Sequence, residues 1–228
     1  MRQMLTLDPE RTALLLVDLQ EEQKHVPEYT VEGIDGILAN ARQLLDAARG
    51  RAIRVFYAAY KRDFDKVPPR PLEYRSADGG PAFSNKESPL TAICTEVAPR
   101  AGEPVIYKND ASAFCEGDLE PLLRKARVEW LIVAGVWTEA CVAARVRDAV
   151  AHGIRVLLVK DACGSGTKAM HQTGIINLAN RLSGGAVAGT AVACRLIAGE
   201  EIDVWIAERP VPLLFGYADA EKMYEALR

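Results

Sequence analysis

Six apolar runs, most of them rich in β-branched residues, recur along the 228-residue chain, and helical patterns separate most of them. The runs cover 13–18, 53–60, 104–108, 130–136, 154–162 and, with a weaker pattern, 185–192. Helical apolar spacing is clearest at 34–48, where Gly50 is expected to stop the helix, and recurs at 118–127, 139–152, 167–182 and 218–228. Strands that alternate with helices favour parallel pairing, because a parallel connection needs a crossover helix. The sequence therefore predicts a doubly wound α/β fold, with a mostly parallel six-stranded sheet and helices on both faces.

Length and composition predict one domain over residues 1–228 and narrow the choice of partners. Apolar residues make up 49% of the chain, enough for one substantial core. The balance of 28 basic and 31 acidic residues offers no basic field for nucleic acid or anionic membranes, so neither is expected as a partner. The early apolar run is too short for a signal or membrane segment, and five cysteines without a disulfide spacing pattern suit a reducing compartment. We therefore expect a cytoplasmic protein.

Polar residues follow three of the predicted strands. Asp18 ends the first strand, Lys108 ends the third, and Cys141 follows the fourth across a short turn. Taken singly, such an aspartate is often a cap, such a lysine is usually solvated and such a cysteine is usually a small core residue. Ligands of open α/β sheets bind beyond the carboxyl ends of the strands, where all three residues are expected. Their joint placement predicts a functional site at this edge.

The chemistry of Cys141 follows from its expected place in the next helix. Thr138 is a plausible N-cap, which would put the thiol in the first turn, where free N–H groups favour an anion and lower the thiol pKa. The carboxylate of Asp18 could then take the thiol proton, and Lys108 could orient that carboxylate. This reasoning gives a triad in which Cys141 is the nucleophile and Asp18 the base.

Three sequence blocks carry a resemblance to a known family. "LLLVDLQ" near the N-terminus, "GEPVIYKNDASAF" at 102–114, and "LIVAGVWTEACV" with "DAVAHGIRVLLVKDAC" at 131–163 resemble the signature blocks of the isochorismatase-like cysteine hydrolases. That superfamily includes N-carbamoylsarcosine amidases, nicotinamidases, ureidoacrylate hydrolases and biuret hydrolases. The resemblance implies a catalytic triad of Asp18, Lys108 and Cys141 and a homodimer or homotetramer. It also implies hydrolysis of a small amide, carbamoyl or ureido C–N bond through a thioester, with release of ammonia or an amine.

The resemblance extends to the backbone next to the predicted nucleophile. Members of the family have a cis non-proline peptide after the glycine of the fourth strand, and the matching bond here is Val136–Trp137. By the same resemblance, the N–H groups of Trp137 and Cys141 would form an oxyanion hole.

No cofactor and no metal are expected. Nicotinamidase-like members carry an Asp-x-His metal motif after the second strand, but this chain has "AAYKRDF" at 58–64. Its three histidines, His25, His152 and His171, lack ligand spacing and are expected to be surface or cap residues. The glycine-rich stretch at 163–168 lacks the ending of a phosphate loop, which argues against the alternative of a nucleotide-binding module.

Candidate substrate-binding residues surround the predicted triad. Trp137 and Phe114 suggest an apolar or planar wall, Gln20 offers an amide, and Tyr60 and Arg62 suggest a polar end. If Arg62 faces the pocket, the amide substrate should carry a carboxylate; the alternative is a solvated surface arginine.

Two alternative functions remain open at this stage. One is a non-catalytic or regulatory family member, and the other is an isochorismatase-type hydrolase of a vinyl ether. True isochorismatases of the family lack the cysteine nucleophile, so Cys141 argues against the second.

Overall fold

The computed structural model describes residues 2–110 and 118–227, which are arranged around one eight-stranded sheet. The strands are β1 (Arg2–Leu5), β2 (Thr12–Val17), β3 (Arg54–Tyr60), β4 (Val105–Lys108), β5 (Trp130–Val136), β6 (Arg155–Gly164), β7 (Ala186–Ala188) and β8 (Ile202–Ile206). Their order across the sheet is β1-β8-β7-β6-β5-β2-β3-β4. The six strands from β2 to β7 are parallel, which agrees with the predicted doubly wound fold.

The sheet has two more strands than predicted. β8 pairs antiparallel with β7, and β1 pairs antiparallel with β8 at the sheet edge. Both segments are short and partly polar, and three of the four residues of β1 are exposed. A search for buried apolar runs passes over β1 because an edge strand need not be apolar. It also misses β8, which is a mostly buried inner strand of five residues interrupted by Asp203.

The sixth predicted strand is shorter than its apolar run. Only Ala186–Ala188 form a strand, and a helix starts at Thr190 after Gly189. The sequence of 185–192 does not reveal this change from strand to helix, because small residues such as alanine and glycine occur on buried strands and buried helices alike.

Seven α-helices occur in the described part of the chain. They are α1 (Glu22–His25), α2 (Ile34–Gly50), α3 (Leu119–Lys125), α4 (Ala143–Ala151), α5 (Lys168–Ala179), α6 (Thr190–Ile197) and α7 (Ala220–Ala226). A π-helical turn, Thr138–Val142, precedes α4. None of the helices in the described residues is long and apolar enough to cross a membrane.

Two apolar cores lie on opposite faces of the sheet because side chains alternate along each strand. On β2, Leu14 and Leu16 pack into the core covered by α2 and α6. Leu15 and Val17 point to the other face, which α3, α4, α5 and α7 cover. The strands between them are buried on both faces, which explains their continuous apolar runs.

Gly135 lets β5 approach β2 closely at the edge that carries the predicted site. It has a φ of 129°, and a Cβ at this position would lie 2.1 Å from the carbonyl oxygen of Val17. Only glycine avoids this clash. The close approach places the segment after β5 beside Asp18, the residue after β2.

Candidate active site

Asp18, Lys108 and Cys141 meet at the carboxyl edge of the sheet. The ammonium nitrogen of Lys108 lies 2.9 Å from Oδ2 of Asp18 and 3.4 Å from Sγ of Cys141. Lys108 is fully buried and Asp18 almost so, and the Lys108 ammonium also lies 4.2 Å from the ring centroid of Tyr60. A buried lysine held between a carboxylate and a thiol is a charged cluster that burial disfavours unless its members compensate one another.

The backbone of Asp18 is in the left-handed region, with a φ of 49°. Aspartate tolerates this region better than most residues. The N–H of Asp18 donates to the carbonyl oxygen of Ala58 at 2.8 Å, and its own carbonyl accepts from the N–H of Gln20 at 2.9 Å. These bonds hold a conformation that turns the chain sharply at the end of β2.

Thr138 does not cap the helix that carries Cys141, contrary to expectation. The N-cap position is Trp137, which makes no side-chain capping bond. Thr138 is buried, and its hydroxyl donates to the carbonyl oxygen of Gly164 at 2.9 Å and contacts Nδ1 of His171 at 2.8 Å. The hydroxyl thus links the π-helical turn to the end of β6 and to α5.

His171 also differs from its expected surface or cap role, since it is buried. Its Nε2 lies 3.0 Å from the Tyr224 hydroxyl. Burial, together with the charge of Lys160, lowers the pKa of His171 to about 4.

The pKa of the Cys141 thiol is raised to about 12, not lowered as expected from a helix N-terminus. Burial is the largest cause, and the negative charge of Asp18 adds to it; the charge of Lys108 opposes both. The thiol is therefore protonated at neutral pH and needs a group that accepts its proton. Asp18 is the adjacent carboxylate.

The peptide between Val136 and Trp137 is cis, at the bond indicated by the family resemblance. In the turn that follows, the carbonyl of Trp137 accepts from the N–H groups of Ala140 and Val142, both at 3.1 Å. Among the described residues, neither the Trp137 nor the Cys141 N–H donates to a backbone carbonyl outside its own helix or strand.

A cavity of about 360 Å³ opens above the triad, with Cys141 and Asp18 in its wall. Four aromatic residues contribute to its walls: Tyr29, Tyr60, Phe83 and Trp137. The sequence predicts Tyr60 and Trp137 here. The other two come from the turn after α1 and from the long β3–β4 loop, whose path no local pattern reveals. Phe114, the other predicted wall residue, lies outside the described residues.

Gln20 does not line the cavity, contrary to its expected role in substrate binding. Its side chain is fully buried, and its amide nitrogen donates to the carbonyl oxygens of Tyr60 and Thr91 at 2.8 and 2.7 Å. Its amide oxygen accepts from the N–H of Tyr60 at 2.8 Å. Gln20 thus links β3 to the β3–β4 loop, and its side-chain amide is hydrogen-bonded to backbone groups of both.

Arg62 is buried too, but it serves the β3–β4 loop and not the cavity. Its guanidinium forms a bidentate ion pair with Glu73, at 2.6 and 2.8 Å, and donates to the carbonyl oxygen of Val67 at 2.7 Å. The side chain is 2% exposed. Arg62 is therefore neither a solvated surface residue nor a residue that binds a substrate carboxylate, the two alternatives that the sequence left open.

Glu22 and Ser84 are cavity residues that sequence reasoning missed. Glu22 is buried on α1, and its carboxylate accepts hydrogen bonds from the hydroxyl and, at 3.2 Å, the backbone N–H of Ser84. Burial raises the pKa of Glu22, although the hydrogen bonds from Ser84 oppose this effect. The sequence signal that could have identified Glu22 was its position four residues after Asp18, close to the carboxyl end of β2.

One group of possible metal ligands occurs in the described residues, formed by Glu21, Cys94 and Glu96. The ammonium of Lys24 already lies 2.7 Å from Glu96 and 3.5 Å from Glu21. The Lys24 ammonium thus already pairs with both carboxylates. None of the three lines the cavity above Cys141.

A larger cavity, of about 760 Å³, lies at the opposite end of the sheet. Trp130 and Arg155, which begin β5 and β6, are part of its wall. It contains no member of the triad, so its size does not make it the better candidate for the reaction.

Comparison with known proteins identifies the family of the chain. The Isochorismatase domain family matches residues 12–192. A maleamate amidohydrolase from Pseudomonas putida is 37% identical over 91 residues, which cover 40% of this chain and 43% of that protein. An N-carbamoylsarcosine amidase from Arthrobacter sp is 30% identical over 167 residues, which cover 67% of this chain and 59% of that protein. The matched part is thus less than two thirds of the length of either relative.

The fold has counterparts among solved structures. A cysteine hydrolase from Pseudomonas syringae pv. phaseolicola 1448A superposes with a TM-score of 0.76 at 23% identity, over 85% of this chain and 95% of that one. Since the family match runs from β2, which ends next to Asp18, into α6, the chain belongs to the isochorismatase family.

Proposed function

We propose that this protein is a cysteine-dependent amidohydrolase that cleaves a small amide, carbamoyl or ureido C–N bond through a thioester. The observation that carries the proposal is the contact of the Lys108 ammonium with both Asp18 and Cys141 at the floor of the cavity. The names of the amidohydrolases to which the chain is similar support the same class of reaction.

In the proposed acylation step, Asp18 removes the proton from the Cys141 thiol as the sulfur attacks the carbonyl carbon. The raised thiol pKa supports coupling between the two events, because a free thiolate would be costly in this buried site. Lys108 stays protonated and offsets the negative charge that passes between Asp18 and the sulfur. The N–H groups of Trp137 and Cys141 donate to the oxyanion of the tetrahedral intermediate.

The C–N bond then breaks as Asp18 returns the proton to the leaving nitrogen, and ammonia or an amine departs. A water molecule next attacks the thioester carbon while Asp18 takes one of its protons. The C–S bond breaks, the acid product leaves, and the proton on Asp18 returns to the sulfur. Every proton taken up by Asp18 is returned within the cycle, so no cofactor is required.

Hydroxylamine trapping tests this mechanism directly. A screen of carbamoyl, ureido, aliphatic and aromatic amides for ammonia release would first identify a substrate. With that substrate, hydroxylamine should divert the thioester to a hydroxamate, and the Cys141→Ala variant should form none. Ammonia release without hydroxamate in the wild type would contradict the thioester, and release from no amide would favour the non-catalytic alternative.

A further inference from the structure

The basic side chains around the cavity are committed to partners within the chain. Lys108 contacts Asp18 and Cys141, Arg62 is paired with Glu73, and Arg70 is paired with Asp110. No lysine or arginine lines the cavity among the described residues. Residues 111–117, which lie outside them, contain no lysine, arginine or histidine. A substrate carboxylate would therefore find no uncommitted cation in this cavity.

Glu22 is the carboxylate that lacks a cation. It forms no ion pair with the described residues and is held by the two donors of Ser84. Ser84 has a left-handed backbone, with a φ of 48°, and its carbonyl accepts from the N–H of Arg62 at 2.7 Å. Arg62 thus anchors the loop residue that aims both donors at Glu22. A carboxylate has about four acceptor sites, so Glu22 keeps acceptor capacity beyond these two bonds.

The remaining walls suit a positive charge. The rings of Tyr29 and Tyr60 both pack against Phe83, with centroid distances of 5.8 and 5.3 Å, and Trp137 completes the aromatic lining. The faces of aromatic rings attract cations, although the Lys108 ammonium already lies over the ring of Tyr60. Asp18 and Asp110 also line the cavity, although Lys108 and Arg70 offset their charges.

We infer that the cavity selects amides whose far end carries a positively charged nitrogen, which Glu22 and the aromatic walls bind, and discriminates against amides that carry a carboxylate. This inference rests on the proposed amidohydrolase function and reverses the substrate charge expected from Arg62 in the sequence. Glu22 is the residue that determines specificity, and Ser84 positions it.

Three matched benzamides test the inference. They are 3-(aminomethyl)benzamide, 3-ethylbenzamide and 3-carbamoylbenzoate, which differ mainly in the charge of one substituent. We expect kcat/KM for ammonia release to fall in that order, with the cation favoured over the anion by at least about tenfold, since a charge-assisted contact contributes roughly ten- to a hundredfold. Equal values, or a preference for the carboxylate, would overturn the inference.

Variants separate Glu22 from the general charge of the protein. Glu22→Gln should reduce the ratio of cation to anion by roughly ten- to a hundredfold, because the amide keeps the shape but loses the charge. Glu28→Gln makes the same charge change at a nearby exposed residue outside the cavity and should leave the ratio unchanged. An unchanged ratio in Glu22→Gln would show that Glu22 does not set the specificity.

A binding measurement keeps the two proposals distinguishable. The Cys141→Ala variant, titrated calorimetrically with the same compounds, should bind the cation more tightly than the anion whether or not any of them is hydrolysed. Tighter binding of the anion, or no binding of the cation, would overturn the inference and leave the amidohydrolase proposal intact. Ammonia release by Cys141→Ala would overturn the amidohydrolase mechanism instead.

Discussion

At the scale of single residues, the acid–base behaviour of Cys141 depends on Asp18. The thiol lies in a buried site, and the nearby carboxylate raises its pKa further. A helix N-terminus alone would have produced the opposite effect. Asp18 is thus, after burial, the second cause of the raised thiol pKa, and it is also the proposed acceptor of the thiol proton.

Alkylation of Cys141 by iodoacetamide should therefore accelerate in the Asp18→Asn variant while amide hydrolysis collapses. Removing the negative charge lowers the thiol pKa, and a tenfold stronger thiol acid has about ten times more thiolate at pH 8. Rates of alkylation from pH 6 to 10, followed by mass spectrometry of the Cys141 peptide, measure this change. Asp35→Asn, at an exposed position of α2, is the matched control and should react like the wild type. Alkylation that is unchanged in Asp18→Asn would show that the two groups are not coupled.

The meeting of Asp18, Lys108 and Cys141 at one edge could be predicted from sequence, because each lies at or just beyond the carboxyl end of a parallel strand. The roles of Gln20 and Arg62 could not, since both depend on the path of the long loop between β3 and β4. A polar residue near the end of a strand can face the site or brace the loop. Which of these occurs is decided by distant partners, such as Glu73 for Arg62.

At the scale of elements, the approach of β5 to β2 requires glycine at position 135. Gly135→Ala should destabilise the fold by more than about 4 kcal/mol or prevent its accumulation, because the added Cβ meets backbone that cannot move aside. Gly36→Ala is the control, since no atom lies within 4 Å of its added Cβ in α2, and it should stabilise the protein by up to about 1 kcal/mol. Urea unfolding measures both. A Gly135→Ala protein as stable as the wild type would contradict the geometry at this edge.

The β3–β4 loop depends on the buried ion pair of Arg62 and Glu73. Arg62→Ala should lower the free energy of unfolding at pH 7 by about 3 kcal/mol, because it leaves the partly buried carboxylate of Glu73 without its ion pair. The hydrogen bond from Arg62 is the main cause that lowers the pKa of Glu73 from 4.5 to about 2. The stabilisation is therefore present above pH 4.5 and is lost as the pH falls towards 2, so the effect of the mutation should shrink over that range.

Denaturant unfolding at pH 7 and at about pH 3 checks this pH dependence. Arg195→Ala removes an exposed pair with Glu200 and should cost less than about 1 kcal/mol at either pH. An Arg62→Ala effect as small as that of Arg195→Ala would mean that the loop does not need the ion pair.

At the scale of the whole molecule, the parallel core of the sheet could be predicted and its antiparallel edge could not. Strands buried on both faces need apolar residues along their length, so β2, β3, β5 and β6 are visible in the sequence. β1 needs only backbone pairing with β8, and Arg2, Gln3 and Met4 are exposed on it. Such a strand carries no apolar signal, which explains why β1 is absent from the six predicted strands.

The whole reaction is proposed to proceed without a metal. Prolonged dialysis against EDTA should leave ammonia release unchanged, because the proposed charges and protons are all supplied by Asp18, Lys108 and Cys141. The group formed by Glu21, Cys94 and Glu96 already contacts Lys24. Loss of activity that added Zn²⁺ or Mn²⁺ restores would contradict this prediction.

The central claim is that Cys141 carries the covalent step, and the turnover number of Cys141→Ala tests it most directly. With a substrate from the amide screen, kcat for ammonia release should fall at least about a thousandfold in Cys141→Ala, because the nucleophile of the proposed thioester is lost. Cys194→Ala, which removes a partly buried thiol on α6 outside the cavity, should keep kcat within about twofold, since surface changes away from a site have small effects. A Cys141→Ala protein that retains a tenth of the wild-type kcat would contradict the account.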